Sequence, residues 1–543
     1  VGDVIHSKGD IFGDAVNISS RIEPLASPGG VCISGQVYDQ VRNKVRFHMV
    51  KMQSPSLKNV NHPIDVYSIE MPWEEKNSGS VELDRTRLAV LPLSNLSPDP
   101  NDEYFADGMT EELITVLSGI TGLTVIARTS VMPYKTVAKR VMEIGHELNV
   151  GTVIEGSVRK AANKVRIAVQ VIDARNEGHL WASNYDRELN DVFAVQSEIA
   201  EKVAASLKVR LIDSDRQKLA KSPTGSVEAH TLYLKGRYYW NLRSRESVEK
   251  AIEYFNLAVE QDEDFALGYS GLAECYIVMG RNGLSDPASA YPKAKEYVRK
   301  ALDRDPNLAE AHACLAGILH YYDHQLKSSE SEFRRAIELN PNYASAHQWF
   351  AHLLAQKGIF NEAFAEIGRA MELDPLSRVI NLNVGDGLYY RREYDKAIEQ
   401  FKKVVDLDPK YDAVYASFVE AYLRKSMYDE ALAAAEKYGE LSKKPLEMKL
   451  IKSLVYASKQ DREESRKLLT EVEEHFGEEI LSPFWVGVVH FLLGDTNLCF
   501  EWLNKAYNEH DPNIMLVNIT VELEVAKSDP RFLSLLEKVG LSQ

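Results

Sequence analysis

The sequence predicts a multidomain chain: a partial α+β unit over 1–70, a small α/β domain over 86–213, and an all-α superhelix of paired helices over 226–510. Three observations carry that expectation. Gly317, Ala351 and Gly385 are 34 residues apart, and so are Ala363, Ala397 and Ala431, the beat of a helical repeat. Between 86 and 213, apolar runs of strand length alternate with stretches of helical period. Before residue 70, short apolar or alternating runs at 31–34, 45–50 and 64–69 suit strands closing a sheet.

Composition narrows the function classes. At 45% hydrophobic and 27% charged residues, the chain is ordinary for a soluble globular protein. Its net charge of −16 argues against a general nucleic-acid binder, because phosphate neutralisation needs clustered Lys and Arg. No apolar run approaches the ~20 residues that span a bilayer. Cys32, Cys275, Cys314 and Cys499 lie far apart without a Cys-x-x-Cys pair, so each reads as a small core residue rather than a disulfide or zinc ligand. A reducing cytoplasm is the default compartment, with a membrane-associated parent protein left open.

The N-terminal unit turns on 9–21, GDIFGDAVNISSR. After Phe12-Gly13 the pattern becomes helical, with Ala15, Val16, Ile18, Ile22 and Leu25 on one face and Asp14 at the positive end of the dipole. Asn17 and Arg21 are one turn apart and project from the same side. Such an amide can orient a sugar while the guanidinium meets phosphate oxygens, and the Asp10 carboxylate can accept from an exocyclic amine. Taken alone, such a pair is usually a solvated helix face. A strand at 31–34, a short helix at 35–42 and strands at 45–50 and 64–69 complete the unit, and the polar, aperiodic stretch 71–85 reads as a linker.

The ordered series Asp-Ile-Phe-Gly, Asn-x-x-x-Arg, Pro28-Gly29-Gly30 and Val31-Cys32-Ile33-Ser34 resembles the C-terminal half of a class III nucleotidyl cyclase catalytic domain, from Val1 to about Ile69. The resemblance implies that Asp10 selects adenine, Asn17 orients the ribose, Arg21 stabilises the transition-state phosphate and Lys58 holds the triphosphate. The family more often has Gly after that lysine, where this chain has Asn59. The implied reaction converts ATP to cyclic AMP and pyrophosphate by in-line attack of the ribose 3′-oxygen, with two metal ions, Mg²⁺ or Mn²⁺. The family's two metal-binding aspartates precede its Gly-Asp-Val, and this chain starts at Val1-Gly2-Asp3-Val4, so no metal ligand is expected in it. The expectation is a fragment of a homodimeric cyclase, inactive by itself.

The α/β domain is expected to run β-α-β-α-β-β-(β)-α. Its strands lie near 88–93, 123–127, 153–159 and 164–173, the last two forming a hairpin across Ala161-Ala162-Asn163. A helix carries Leu113, Ile114 and Leu117 with Glu111 and Glu112 in its first turn; others span 139–148 and 192–211. The phrases AVLPLSNLSPDPNDEYFADGMTEEL and VIEGSVRK resemble the N-terminal domain of TolB-like proteins. Gly151 and Gly156 build no phosphate-binding loop, which leaves a scaffold or sensor role.

From Ser226 the spacing is that of tetratricopeptide repeats, with Pro306, Pro341, Pro375 and Pro409 each ending a helix pair. Small residues recur where paired helices cross closely, and Phe255, Phe333 and Phe401 fill the larger pocket beside them. Residues 511–543 read as a polar terminal cap. His320-x-x-Asp323-His324 superficially matches a zinc motif but reads as an exposed turn. The concave face of such an array suits a peptide or protein partner. Two functions remain: part of a signalling adenylate cyclase with regulatory modules, or a scaffold carrying a degenerate cyclase remnant.

Overall fold

A computed structural model describes residues 5–7, 10–12, 18–20, 22, 25, 31–41, 49–52, 64–69, 83–242, 244–281 and 284–542. The chain divides into two compact units, Val1–Glu82 and Leu83–Gln543.

In the first unit, β1 (Ile5–Ser7) and β2 (Asp10–Phe12) form a two-stranded antiparallel ribbon in which Ser7 faces Asp10. A separate antiparallel sheet has the order β3-β5-β4, built from β3 (Val31–Ser34), β4 (Met49–Lys51) and β5 (Val66–Ile69). Helix Gly35–Val41 leaves β3 directly, and Tyr38 stacks on Tyr67 of β5 with ring centroids 3.8 Å apart.

The second unit opens on a six-stranded sheet. Its strands are β6 (Arg87–Val90), β7 (Ser94–Asn95), β8 (Thr124–Val125), β9 (Thr152–Ala161), β10 (Lys164–Asp173) and β11 (Gly178–Glu188). The order is β11-β10-β9-β6-β8, with β7 beside β9. Strand β6 runs parallel to β8 and β9, while β9, β10 and β11 form an antiparallel meander. The β9–β10 hairpin closes over Ala162 and Asn163, and Ala162 takes the left-handed conformation at φ 52° that such a tight turn demands. Helices Glu103–Ser118 and Val192–Ser206 bury Phe105, Met109, Leu113, Val195, Ile199 and Val203 in the core of this sheet.

One boundary differs from expectation. The first long helix begins at Glu103, preceded by a turn that the Asp99 carboxylate caps, so Glu111 and Glu112 sit in its middle rather than its first turn. Phe105, Met109 and Leu113 already keep a helical period, but Asp107-Gly108 reads as a start signal and hid the first turn. Asp107 is 5% exposed, and Lys135 reaches it at 2.5 Å.

Among the described residues eight helix pairs follow, from Val227–Asn241 with Arg245–Gln261 to Pro483–Leu492 with Thr496–Asn508. Short connections make the helices of each pair antiparallel neighbours. Close crossing sets the small residues: a Cβ at Gly385 would lie 2.3 Å from the Phe401 ring, and one at Gly236 2.5 Å from Phe255. Gly317, in the same repeat position as Gly385, has more room, with its nearest neighbour, Trp349, at 3.8 Å.

The α/β segment and the array are a single compact unit. Asn342 donates to the main-chain oxygens of Ser118 and Leu123 at 3.0 and 2.9 Å. The Ala127 amide donates to Leu373 O at 2.8 Å, and Ser130 Oγ donates to the buried Asp374 carboxylate at 2.5 Å. The C-terminal residues are not a polar cap. Ile514, Met515, Val517, Leu523, Phe532, Leu535 and Val539 are all buried. They lie in or directly after short 3₁₀ turns, Pro512–Leu516 and Val521–Ser528, and helix Pro530–Lys538. The apolar spacing of 514–526 fits neither a helical nor a strand period, which hid that stretch from pattern reading, whereas Phe532, Leu535 and Val539 keep a helical one.

Candidate functional site

Of the residues that the sequence singles out for nucleotide chemistry, Asn17, Arg21 and Lys58 lie outside the described residues. Asp10 opens β2 opposite Ser7, with its side chain outside them as well. The described structure therefore does not bring these four together. Among the described residues no cluster of His, Cys, Asp or Glu could hold a metal ion.

The array supplies a different candidate. First helices of successive pairs touch one another, which places them on the inner, concave side. Their inward side chains recur with the repeat: His352, Asp386 and Glu420 are spaced by 34, as are Asn383 and Ser417. Gln348 Nε2 donates to Asn383 Oδ1 at 2.9 Å, and Ser417 Oγ donates to Asp386 at 3.0 Å. Burial pushes the Asp386 carboxyl up to about 6, against the pull of Ser417 and Asn383. Burial, and then Asp386, push Glu420 up to about 7, against the opposing pull of Arg424. His352 is driven down to about 4 by burial, so its imidazole is neutral at pH 7. Arg281 lies over the Tyr321 ring at 5.3 Å and has no acidic partner among the described residues, unlike Arg237 and Arg378.

Both ends of this groove are occupied by other parts of the chain. At its N-terminal end, helix Glu103–Ser118 docks on helix Val227–Asn241. There Arg237 pairs with Glu111 at 2.6 Å and with Glu274 at 2.9 Å. Burial alone would lower the Arg237 pKa; Glu111 and Glu274 hold it well above the usual value. Burial alone would raise the Glu111 carboxyl, and Arg237 with Arg128 holds it below the usual range instead. His230, 2% exposed, pairs with Glu112. At the far end, residues 512–528 reach into the concave side.

His320 and His324 are not an exposed turn. His320 is fully buried and shares a 2.5 Å hydrogen bond with Gln356 Oε1, while Asp323 pairs outward with Lys295 at 2.6 Å. Burial lowers His320 to about 3 and His324 to about 4, so both are packing groups neutral at pH 7. The sequence reading missed the groove residues. The signal was present in the 34-residue recurrence of His352, Asp386 and Glu420, hidden because three different side chains occupy one structural position.

A second concavity of about 640 Å³ opens on the sheet beside Tyr134, Lys139, Glu155 and Gln170. Its charged groups are already satisfied, Lys139 by Glu147 and Glu155 by Gln170, which leaves no free charge to orient a ligand.

The fold defines a helical-repeat protein carrying a small α/β domain. No family model matches the chain. Over 327 residues it is 33% identical to the Rhizobium meliloti (strain 1021) protein named "Putative adenylate cyclase 3", covering 58% of this chain and 55% of that protein. Over 291 residues it is 23% identical to the transcriptional regulator HilA of Salmonella typhimurium, covering 53% and 51%. The chain spans about half the length of these curated relatives. Among solved structures, a tetratricopeptide repeat protein from Parabacteroides merdae aligns over 50% of this chain and all of its own, at 15% identity and a TM-score of 0.35. No helix among the described residues is long and apolar enough to cross a membrane.

Proposed function

We propose that the concave face of the repeats docks an extended peptide segment of a partner protein, and that the chain belongs to a signalling adenylate cyclase which this docking regulates. The observation that carries the docking reading is the periodic polar lining of the groove. Asn383 and Gln348 supply amides that can pair with a peptide main chain, and Arg281 offers a guanidinium that no side chain among the described residues neutralises. The tyrosines alongside add contact area at low entropy cost. A library of random peptides panned against the whole chain should yield binders whose affinity falls at least tenfold in Asn383→Ala and Arg281→Ala. Binders indifferent to both substitutions would place docking elsewhere.

The cyclase reading rests on the order of Asp10, Asn17, Arg21 and Lys58 and on the 33% identity to a protein named as an adenylate cyclase. In it Asp10 selects adenine, Asn17 orients the ribose, Arg21 meets the phosphate charge as it develops and Lys58 grips the triphosphate. Among the described residues no cluster fits a metal ion; in this reading Mg²⁺ or Mn²⁺ assists the reaction, and the active enzyme is a homodimer binding ATP. The test is a cyclase assay on the chain together with any sequence encoded upstream of Val1, with ATP and GTP offered separately. Cyclic AMP should form from ATP, and Asn17→Ala or Arg21→Ala should each lower kcat by about 10²–10³-fold. Unchanged rates in both variants would overturn the assigned roles. The scaffold reading is favoured by the groove itself, which needs no catalysis; a folded chain with no product from either nucleotide would decide for it.

A further inference from the structure

The C-terminal half of the groove already holds a peptide, and it belongs to the chain itself. Residues 512–528 leave the last helix pair and run across the first helices of earlier pairs. Asn518 Nδ2 donates to Gln356 O at 3.1 Å, across 162 residues of sequence. Glu522 pairs with Arg424, and Glu524 faces Arg392 at 3.6 Å. Leu516 and Ile519 close on Tyr389, Tyr390, Glu420 and Leu454 around a gap of about 10 Å³, which leaves room for at most one water.

The two sides of this segment are held by different forces. Toward its own end of the chain it is anchored by apolar burial: Ile514, Met515, Val517 and Leu523 are inaccessible to solvent, packed among the last helices. Toward the opposite wall its named bonds are polar, namely those of Asn518, Glu522 and Glu524. Val525, at the crossing, is 82% exposed. Arg424 is also incompletely used: its Nε is buried with no acceptor. A carboxylate approaching the guanidinium side-on would engage two nitrogens at once, a stronger pairing than a single-edge contact.

We propose that residues 512–528 are a built-in occupant of the groove, and that a partner peptide displaces them from the Gln356–Arg424 wall. This rests on the reading of the concave face as a peptide-docking surface and names its ligand chemistry. The partner segment is extended and carries an acidic side chain that takes Arg424 in place of Glu522. Branched aliphatic residues three to six positions before it fill the places of Leu516 and Ile519.

The probe is a fluorescein-labelled synthetic peptide of residues 512–526, PNIMLVNITVELEVA, added to the full chain. Wild type should show weak binding, because the tethered copy competes at high effective concentration. Asn518→Ala and Glu522→Gln should each bind the probe at least tenfold tighter, and adding Arg424→Ala should abolish that gain. Glu522→Gln leaves a buried guanidinium unpaired; if it fails to fold, Asn518→Ala carries the test, since its lost bond goes to a main-chain carbonyl. Variants with wild-type far-UV circular dichroism that bind no tighter would overturn the proposal. Library peptides that bind wild type, lose affinity in Asn383→Ala and ignore Asn518→Ala would keep the docking surface and overturn the built-in occupant. A library yielding binders to neither wild type nor variants would sink the docking reading and this proposal together.

Discussion

Asp386 and Glu420 face the inside of the superhelix as acids held partly protonated near neutrality. Their carboxyls keep protons up to about 6 and 7, first through burial and, for Glu420, then through Asp386. In the unfolded chain both would ionise near pH 4. Between these values the folded protein binds more protons than the unfolded one, so their contribution to stability falls as pH rises from about 4 to about 7. Glu420→Gln, which keeps the shape and removes the charge, should therefore raise stability by about 1–2 kcal/mol at pH 8 and leave it nearly unchanged at pH 4. Urea unfolding at the two pH values checks this; an equal effect at both would mean that Glu420 ionises normally. Residue identities alone could not reveal this behaviour. Glu420 in the sequence is one of many glutamates, and only its placement opposite Asp386 on a neighbouring helix makes it different.

At the scale of single elements, the repeat period was legible because close helix crossing tolerates few side chains. Gly385 must be small where Phe401 presses on its helix. Gly385→Val should cost about 1–3 kcal/mol by overpacking, whereas Gly317→Val, with 3.8 Å to Trp349, should cost visibly less. Amide hydrogen exchange over 378–407 and 309–339 would separate the two, and equal protection loss would refute the packing account. Other element ends were less legible. The helix from Glu103 carries Asp107-Gly108 in its second turn, a pair that reads as a helix start, and the 3₁₀ turns of 512–528 bury apolar groups at irregular spacing. Pattern methods read regular faces and local start signals; the turns of 512–528 have no regular face, and Asp107-Gly108 placed the start signal one turn late.

At the scale of the molecule, the α/β segment and the array form one body, joined by charges that the sequence scatters over more than 150 residues. Glu111, Arg237 and Glu274 meet with side chains 17%, 16% and 7% exposed, so removing the shared cation leaves Glu274 without its cation and Glu111 with only Arg128 and Asn241. Arg237→Ala should cost about 3–5 kcal/mol and split the urea transition of the 83–543 unit, with the α/β segment released first. Circular dichroism together with limited proteolysis would show it, and a single unshifted transition would mean that the network contributes nothing net. None of this partnership could be read in advance, because Glu111, Arg128 and Arg237 look like ordinary charged helix positions until the fold juxtaposes them.

What the sequence determined by itself was local and periodic: the strand and helix alternation of 87–206, the 34-residue helix pairs, and the small residues at their crossings. Those features follow from backbone geometry and side-chain size, which act within a few turns of chain. The candidate nucleotide residues Asp10, Asn17, Arg21 and Lys58 stay at the level of sequence resemblance, with no described side-chain geometry to join them. Tertiary structure decided the rest: which carboxylates are desolvated, that His320 is core rather than surface, that the α/β domain docks on the first repeat, and that residues 512–528 fill part of the groove. Each depends on groups distant in sequence sharing one low-dielectric space, a property that belongs to the packed chain and not to any stretch of it.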